Sequence, residues 1–227
     1  MENQFQREEL LIGKDSLEKL QKSKVIVYGI GGVGSFVVEG LVRAGIGYIV
    51  LVDFDVIDIT NINRQIHALH STVGKRKIDI MKERVLDINP NVKVEIFDRN
   101  SLENEEDLIN NTYSYAVDAV DNVSTKIKLI EKAKKENIPV ISAMGVGNRL
   151  DFSKLEITDI SKTSMCPLAK VVRKELKNRG IKKVKVIYSK EVPIEHENKN
   201  IIGSISFMPS IAGLMLAGEV IIDLIEK

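Results

Sequence analysis

Five short apolar runs recur along the first two thirds of the chain, and each contains β-branched residues. Runs of this length without regular polar alternation are typical of strands that are buried on both faces of a parallel sheet. A strand with one wet face would instead alternate apolar and polar side chains. The predicted strands span residues 24–30, 48–53, 92–97, 115–120 and 139–144.

Segments with a helical spacing of apolar residues separate these runs. Within 74–88, Ile78, Met81 and Val85 recur every three or four residues. Pro90 follows and cannot continue a helix. Because strands and helices alternate, the sequence predicts an α/β fold that is Rossmann-like and doubly wound, with a mainly parallel sheet. The predicted helices span 16–22, 35–45, 74–88, 103–111 and 123–136.

The pattern changes after about residue 150. Two more strands are predicted at 155–160 and 184–189, with a basic helix at 167–179 between them. We expect these strands to extend the sheet as a mixed or antiparallel C-terminal elaboration. The polar segment 191–200 predicts an exposed loop.

An uncharged apolar segment covers residues 201–218 and is close to the lower length for a membrane-spanning helix. Pro209 interrupts it, and Glu219 and Asp223 follow within the same apolar period. We therefore expect a short strand or loop that ends near Pro209, then a helix packed in the core, and no stable membrane insertion. The polar N-terminus lacks the apolar core of a signal peptide, which favours a cytoplasmic protein.

Composition adds limits on domain number, partners and redox chemistry. The 227 residues are 44% apolar, and no compositional break marks a linker. Residues 1–227 are therefore predicted to form one domain, with a nucleotide-binding core (1–150) and the elaboration (151–227). The net charge of +1 indicates no global field for nucleic acid or membrane. Cys166 is the only cysteine, which excludes an internal disulfide and a cysteine-rich structural zinc site.

A glycine-rich turn follows the first predicted strand and precedes a helix. Its GxGxxG pattern lets phosphates approach bare backbone at the positive end of the helix. Asp53 ends the second predicted strand, where an acidic residue holds the ribose hydroxyls of a nucleotide. The alternative is a glycine turn that serves only close packing. In this context the motif favours an adenine nucleotide, with the glycines Gly29, Gly31, Gly32 and Gly34.

Polar and charged residues also cluster after the strands predicted at 48–53 and 115–120. Open α/β sheets bind ligands at this carboxyl edge. A triphosphate needs cations and usually a metal held by carboxylate, whereas a dinucleotide pyrophosphate is largely satisfied by backbone and helix dipole. The set therefore favours ATP with magnesium over a nicotinamide cofactor. Its members are Asn61, Arg64, Gln65, Lys77, Asp121 and Asn122.

Each charged member of this set has a plainer interpretation. Lys77 could be a solvated helix lysine, Asp121 a helix N-cap, and Arg64 one half of a loop salt bridge. Taken singly these interpretations are reasonable. Their convergence on one sheet edge is what favours the nucleotide site.

The motifs GIGGVGS, VDFDVIDITNINRQ, VGKRK, INP and DAVDN occur in this order, and with them the sequence resembles the ThiF-type adenylating enzymes related to ubiquitin activation. The resemblance implies acyl adenylation, with Gly32 facing the phosphates and Asp53 the ribose. It implies that Asn61, Arg64 and Lys77 grip the triphosphate and that Asp121 holds magnesium, with Asp55 as a second candidate. It also implies a homodimer in which Arg7 reaches the partner's site, although Gln4 replaces the first arginine of the usual opening.

A closer resemblance covers nearly the whole chain. NRQIHAL, AVDAVDNVSTK, LEITDISKT and the C-terminal PxxxG are similar to the branch of this family that modifies threonylcarbamoyladenosine in tRNA. It implies that ATP activates the threonyl carboxylate and that cyclisation then expels AMP, with net loss of water. A monovalent cation and a cysteine desulfurase system are further candidates for cofactor and partner.

Nine basic residues and one acid, Glu175, lie between positions 170 and 190. Such a concentration favours contact with the RNA backbone, and the alternative is a solvated helix face. Aromatic residues are scarce there, which suits backbone contact more than base readout. The candidate tRNA-binding residues are Lys174, Lys177, Arg179, Lys182 and Lys183.

Two other functions stay open at this point. One is an adenylyltransferase that activates the C-terminus of a sulfur-carrier or ubiquitin-like protein, and the other is an NAD-dependent oxidoreductase. The absence of any CxxC pair disfavours the first, since its members commonly carry paired-cysteine zinc motifs and a reactive thiol. Cys166 is the one candidate thiol, and a lone cysteine is more often a small packing residue.

Overall fold

The computed structural model describes residues 4–98, 105–197 and 201–226. They form a seven-stranded sheet with the strand order β3-β2-β1-β4-β5-β7-β6. The strands are β1 Lys24–Tyr28, β2 Tyr48–Val52, β3 Lys93–Phe97, β4 Tyr115–Asp118, β5 Val140–Ala143, β6 Leu155–Asp159 and β7 Lys185–Ser189. The helices are α1 Gln6–Ile12, α2 Lys14–Lys22, α3 Gly34–Arg43, α4 Lys77–Ile88, α5 Val123–Lys135, α6 Pro167–Asn178 and α7 Phe207–Ile225.

The predicted doubly wound, mainly parallel sheet is confirmed. Strands β3, β2, β1, β4, β5 and β7 run parallel to their neighbours. In the described part of the chain only β6 runs antiparallel, with Leu155 opposite Ser189 and Asp159 opposite Lys185. The C-terminal elaboration therefore adds one parallel strand and one antiparallel edge strand.

Helices cover both faces of the sheet. On one face, α3, α4 and α7 pack against alternate strand residues such as Val27 and Leu51. On the other face, α5 and α6 pack against the intervening residues, such as Tyr28 and Val50. Because both faces are covered, the central strands are apolar throughout, which explains the continuous apolar runs in the sequence.

The helices of the structure differ from the predicted ones in two places. Helix α1 was not predicted, since its buried face is small. The helix predicted at 103–111 is wrong over its described residues, where only Glu105–Leu108 forms a single 3-10 turn. The side chain of Asn110 accepts hydrogen bonds from the backbone N–H and the hydroxyl of Thr112. Such side-chain bonds favour a turn over a helix.

Helix α7 lies in the core, as predicted for the apolar segment. It is long and apolar enough to cross a membrane by length and composition. However, it packs closely on α3, since a Cβ on Gly213 would lie 2.4 Å from the carbonyl oxygen of Val33. Its polar residues Glu219 and Asp223 both pair with Lys185 Nζ at 2.6 Å. The helix therefore serves as a core element of one helical layer.

Candidate active site

The glycine turn joins β1 to α3 in a conformation that needs glycine. Gly29 has a positive φ of 82°, and a Cβ there would lie 2.7 Å from the carbonyl oxygen of Ala119. A Cβ on Gly34 would overlap the carbonyl oxygen of Gly29, at 1.8 Å. Helix α3 begins at Gly34 without a side-chain cap, and the N–H groups of Ser35 and Phe36 donate to the carbonyl oxygens of Gly31 and Val33. The positive end of the helix dipole therefore faces the turn without a carboxylate cap.

Asp53 fixes this turn to the end of β2. One carboxylate oxygen accepts a hydrogen bond from the N–H of Ile30 at 2.5 Å, and the other accepts from the N–H of Asp55 at 2.8 Å. Burial raises the pKa of the Asp53 carboxyl, and these backbone bonds and nearby Lys77 oppose that rise. Each carboxylate oxygen retains a lone pair, so Asp53 can still accept a ribose hydroxyl.

A cavity of about 400 Å³ opens beside the turn, at the carboxyl edge of the sheet. It gathers most of the residues that the sequence predicted. Their convergence from separate loops favours the nucleotide-site interpretation over the plainer ones. The predicted residues that line it are Gly29, Gly31, Gly32, Asp53, Asp55, Asn61, Arg64, Gln65, Lys77 and Asp121.

Lys77 is the buried cation of this cavity. Its side chain is 6% exposed, and Nζ lies 2.6 Å from Oδ2 of Asp55, whose side chain is 49% exposed. The backbone N–H of Lys77 also donates to the carbonyl oxygen of Asp55. The first turn of α4 is thus tied to the loop after β2, with the ammonium group held beside the cavity.

Arg64 is the second cation. Its Nη1 donates to the carbonyl oxygen of Thr60 and to Asn63 Oδ1, both at 2.8 Å. Within the described residues it forms no ion pair, so its charge is not neutralised by a carboxylate. The salt-bridge interpretation of Arg64 therefore has no support in the structure.

Asn61 and Asn122 both have structural tasks. Asn61 Oδ1 accepts from the N–H of Asp58 and completes a capping box in the loop. Asn122 caps α5, since its Oδ1 accepts from the N–H of Thr125 at 3.0 Å. Asn61 still lines the cavity, whereas Asn122, Gly34 and Arg7 are not among its lining residues.

A buried ionic network beneath the site was not predicted. Lys126 is fully buried on α5, and its Nζ lies 2.8 Å from Asp118 Oδ2, 2.9 Å from the carbonyl oxygen of Ala143 and 3.3 Å from Ser142 Oγ. Asp118 Oδ1 accepts from the N–H of Val120, in the loop that carries Asp121. The network therefore ties the ends of β4 and β5 together at the floor of the site.

Other residues of the cavity also lacked a sequence signal. Ile202, Ser204 and Pro209 reach it from the C-terminal segment, and the carbonyl oxygen of Ser204 accepts from Asn63. Two buried side chains next to the loop have unpaired polar atoms. Oε1 of Gln65 and both ring nitrogens of His67 have no hydrogen-bond partner among the described residues. Burial, with Lys77 and Arg84 nearby, lowers the pKa of His67 to about 4.

Cys166 lies outside this cavity and is buried at the start of α6. Its sulfur accepts from the N–H of Ala169 at 3.5 Å and lies 3.9 Å from the carbonyl oxygen of Gly145. This position agrees with the packing interpretation of the lone cysteine.

The predicted tRNA-binding residues lie on α6 and the segment that follows it. Arg179 pairs with Glu131 at 2.7 Å, whereas Lys174, Lys177, Lys182 and Lys183 are exposed. Among the described residues these four lysines have no ion-pair partner. They do not line the cavity that contains Lys77 and Asp121.

One protein family matches the part of the chain that contains the glycine turn, the Arg64 loop and the Asp121 loop. A model of the ThiF family matches residues 5–227, so the chain belongs to the ThiF family and the predicted membership is confirmed. The tRNA threonylcarbamoyladenosine dehydratase of Bacillus subtilis (strain 168) is 45% identical over 100% of this chain and 96% of the relative. The protein of that name in Escherichia coli (strain K12) is 40% identical over 74% of this chain and 63% of the relative.

Solved structures of proteins with the same name as these relatives also superpose on this chain. The E. coli tRNA N6-threonylcarbamoyladenosine dehydratase TcdA in complex with ATP superposes with a TM-score of 0.88 and is 31% identical, over 98% of this chain and 94% of that one. A complex of the same E. coli protein with AMP has an equal TM-score. A more distant relative, the adenylyltransferase and sulfurtransferase UBA4 of Saccharomyces cerevisiae, is 31% identical over 65% of this chain and 34% of its own length.

Proposed function

We propose that this chain is an ATP-dependent tRNA-modifying enzyme that adenylates the threonyl carboxylate of threonylcarbamoyladenosine and cyclises it with net loss of water. The names of the relatives bear out this function, which the sequence predicted. The observation that best supports the proposal is that the glycine turn, Arg64 and Lys77 line the same cavity. Two cations beside a phosphate-binding turn suit a nucleoside triphosphate better than a nicotinamide dinucleotide.

In the first step an oxygen of the substrate carboxylate attacks the α-phosphorus of ATP. The new bond is a carboxyl–phosphate bond, and the bond to the leaving pyrophosphate breaks. The negative charge that develops on the phosphates is stabilised by the positive dipole end of α3 and by Arg64 and Lys77. Lys77 exchanges its bond to Asp55 for a bond to phosphate when the nucleotide binds.

In the second step a nucleophile within the same threonylcarbamoyl side chain attacks the acyl carbon. The acyl–oxygen bond to AMP breaks, AMP leaves, and the nucleophile loses its proton to solvent or a nearby base. The sum of both steps removes one water from the nucleoside and converts ATP to AMP and pyrophosphate. No thiol takes part, which agrees with the position of Cys166 outside the cavity.

Magnesium fits this site as a nucleotide-bound ion. The described residues contain no group of three acidic, histidine or cysteine side chains that could hold a metal. Mg²⁺ is usually bound by one or two carboxylates together with substrate phosphates, and Asp121 with Asp55 lines the same cavity. Asp121 is the proposed ligand, and Asp55 is the second. When bound, the ion neutralises charge on the phosphates.

A homodimer would complete the site. Arg7 is exposed in the first turn of α1, on the same short helix as Leu10 and Leu11, which are each 85% exposed. Two exposed leucines on a seven-residue helix favour contact with a partner chain. We propose that a second copy covers α1 and receives Arg7 at its nucleotide site.

The cytoplasmic location, the monovalent cation and the cysteine desulfurase system stay predictions from the sequence. Carrier-protein activation is the competing function, since UBA4 is among the relatives.

Substrate-dependent release of AMP and pyrophosphate from ATP tests the proposal. With purified chain, ATP and magnesium, we expect release with tRNA that carries threonylcarbamoyladenosine and none with the same tRNA lacking the modification. Release that depends on a carrier protein and ignores the tRNA would favour the competing function.

A further inference from the structure

A second basic region lies at the sheet edge opposite the nucleotide cavity. The cavity containing Asp53 and Asp121 is at the carboxyl ends of β2 and β4. Strand β7 is parallel to β5, so Lys185, its first residue, lies at the amino edge. Asp159 is paired with Lys185 and therefore lies there too. The two edges are separated by five-residue strands, roughly 16 Å at 3.3 Å per residue.

A cavity of about 530 Å³ occurs at this amino edge, between the end of β6, the end of α6 and the start of β7. We call it the distal pocket. Leu176 and Ile181 contribute apolar surface, and Asp159 is the one acidic residue among the described residues that line it. The Asp159 carboxylate is occupied as a cap on the N–H of Ser161. Arg173 lines it too, with its guanidinium bonded to Thr163. The other basic lining residues are four lysines, which we call the rim lysines or the rim: Lys162, Lys177, Lys182 and Lys183.

The rim lysines form no direct ion pair among the described residues, although Lys162 helps Lys190 to lower the pKa of the Glu156 carboxyl. Across the residues that the structure describes, none of the four has a carboxylate partner. Neighbouring basic residues differ, since Arg179 pairs with Glu131 and Lys190 pairs with Glu156. Five basic side chains and one carboxylate line the pocket among the described residues, so the rim is an anion-binding surface with an excess of positive charge.

Helix α6 connects the two edges through a row of lysines. It begins at the carboxyl edge, where Cys166 contacts Gly145, and its twelve residues span about 18 Å. Lys170, Lys174 and Lys177 are exposed and spaced four and three residues apart, so they share one helix face. We call these three residues the basic track. The track ends at the distal pocket, because Lys177 belongs to both.

We infer that the basic track and the distal pocket bind the sugar–phosphate backbone of the RNA substrate at nucleotides remote from the one that is modified. The inference rests on the proposed function and deepens it. Lysines are flexible point charges that suit phosphates, and the lining residues that the structure describes include no aromatic side chain for base stacking. The contact is therefore independent of base sequence.

The location has a kinetic consequence. An RNA that contacts the distal pocket must extend over the sheet edge to edge, which a single modified nucleotide cannot do. The pocket does not touch the reacting atoms, so it strengthens binding of substrate and transition state equally. Loss of such uniform binding raises KM and leaves kcat unchanged.

The test compares wild type with Lys182→Gln/Lys183→Gln on two substrates that carry the modified nucleoside: full-length tRNA and, as the fragment, a single modified nucleotide. On full-length tRNA we expect KM to rise roughly tenfold or more with unchanged kcat. The slope of log affinity against log salt concentration should fall by about two, as expected for the loss of about two phosphate contacts. On the fragment the variant and wild type should be equal. The control Lys14→Gln/Lys82→Gln removes equal charge from the opposite helical layer and should match wild type.

Three outcomes overturn the inference. These are an unchanged tRNA affinity of the variant, an equal loss on the fragment, or a fall in kcat at constant KM. An unchanged affinity for RNA would leave an acidic protein as the occupant of the pocket. If wild type turns over neither substrate, the proposed function fails, and the affinity for full-length tRNA measured without turnover still decides the inference.

Discussion

Lys77 and Asp55 form an ion pair of 2.6 Å in which the lysine is buried and the carboxylate is half-exposed. Both residues line the cavity beside the glycine turn, where the loop after β2 meets the first turn of α4. Asp55 thus holds the ammonium group of Lys77 in place. Because the Asp55 carboxylate is half-exposed, a bound phosphate can replace it as the partner of the ammonium group.

Lys77→Ala should lower the rate of AMP formation by about a hundredfold or more. The variant lacks the fixed ammonium group that stabilises the negative charge developing on the phosphates. The midpoint of thermal unfolding should change little, since the Asp55 carboxylate that remains is half-exposed. Lys75→Ala is the matched control, since Lys75 is exposed two residues earlier and does not line the cavity. Normal turnover of Lys77→Ala would remove the lysine from the mechanism.

Asp121→Asn should raise the magnesium concentration needed for half-maximal AMP formation, because a neutral amide is a weaker ligand than a carboxylate. Excess magnesium should restore part of the rate. The measurement is a magnesium titration at saturating ATP for wild type, Asp121→Asn and Asp55→Asn. If the titration curve of Asp121→Asn matches wild type, Asp121 does not hold the ion.

Lys126→Met should destabilise the fold by about 3–5 kcal/mol, because it leaves the Asp118 carboxylate buried without its cation. Adding Asp118→Asn to that variant should recover part of the loss. Chemical denaturation of both single variants and the double variant gives the coupling energy. Additive effects would show that the buried pair is not a unit.

Acid sensitivity should depend on His67. Its pKa of about 4 in the folded chain lies below the ordinary 6.5, so the unfolded chain takes up a proton first as pH falls. The contribution of His67 to the free energy of unfolding is fully present above pH 6.5. It is smaller by about 3 kcal/mol at pH 4. His67→Leu should remove this decrease in urea unfolding measured from pH 7 to 4. Exposed His70→Leu is the control, and equal pH profiles for His67→Leu and wild type would contradict the assignment.

The sheet and most of the site were predictable from the sequence for a physical reason. Strands buried on both faces are apolar throughout, so each appears as a bounded β-branched run. Asp53 directly follows one such strand and Asp121 lies just beyond another, so the topology alone brings them to one edge. The glycine turn could also be predicted from the local sequence, because the backbone conformation of the turn itself requires its glycines.

What the sequence missed depends on tertiary contacts. Lys126 belongs to a lysine-rich helix, and only the fold shows that its side chain is fully buried against Asp118. Ile202 and Ser204 reach the cavity because α7 returns across α3, which no local pattern encodes. The separation of the distal pocket from the nucleotide cavity likewise depends on the direction of β7 relative to β6.

The central claim is the loss of water from the modified nucleoside, and mass spectrometry of digested tRNA measures it most directly. After incubation with the chain, ATP and magnesium, threonylcarbamoyladenosine should be replaced by a nucleoside that is lighter by one water. Omitting ATP, or using Lys77→Ala, should leave the mass unchanged. An unchanged mass with folded wild-type chain that binds ATP would contradict the account.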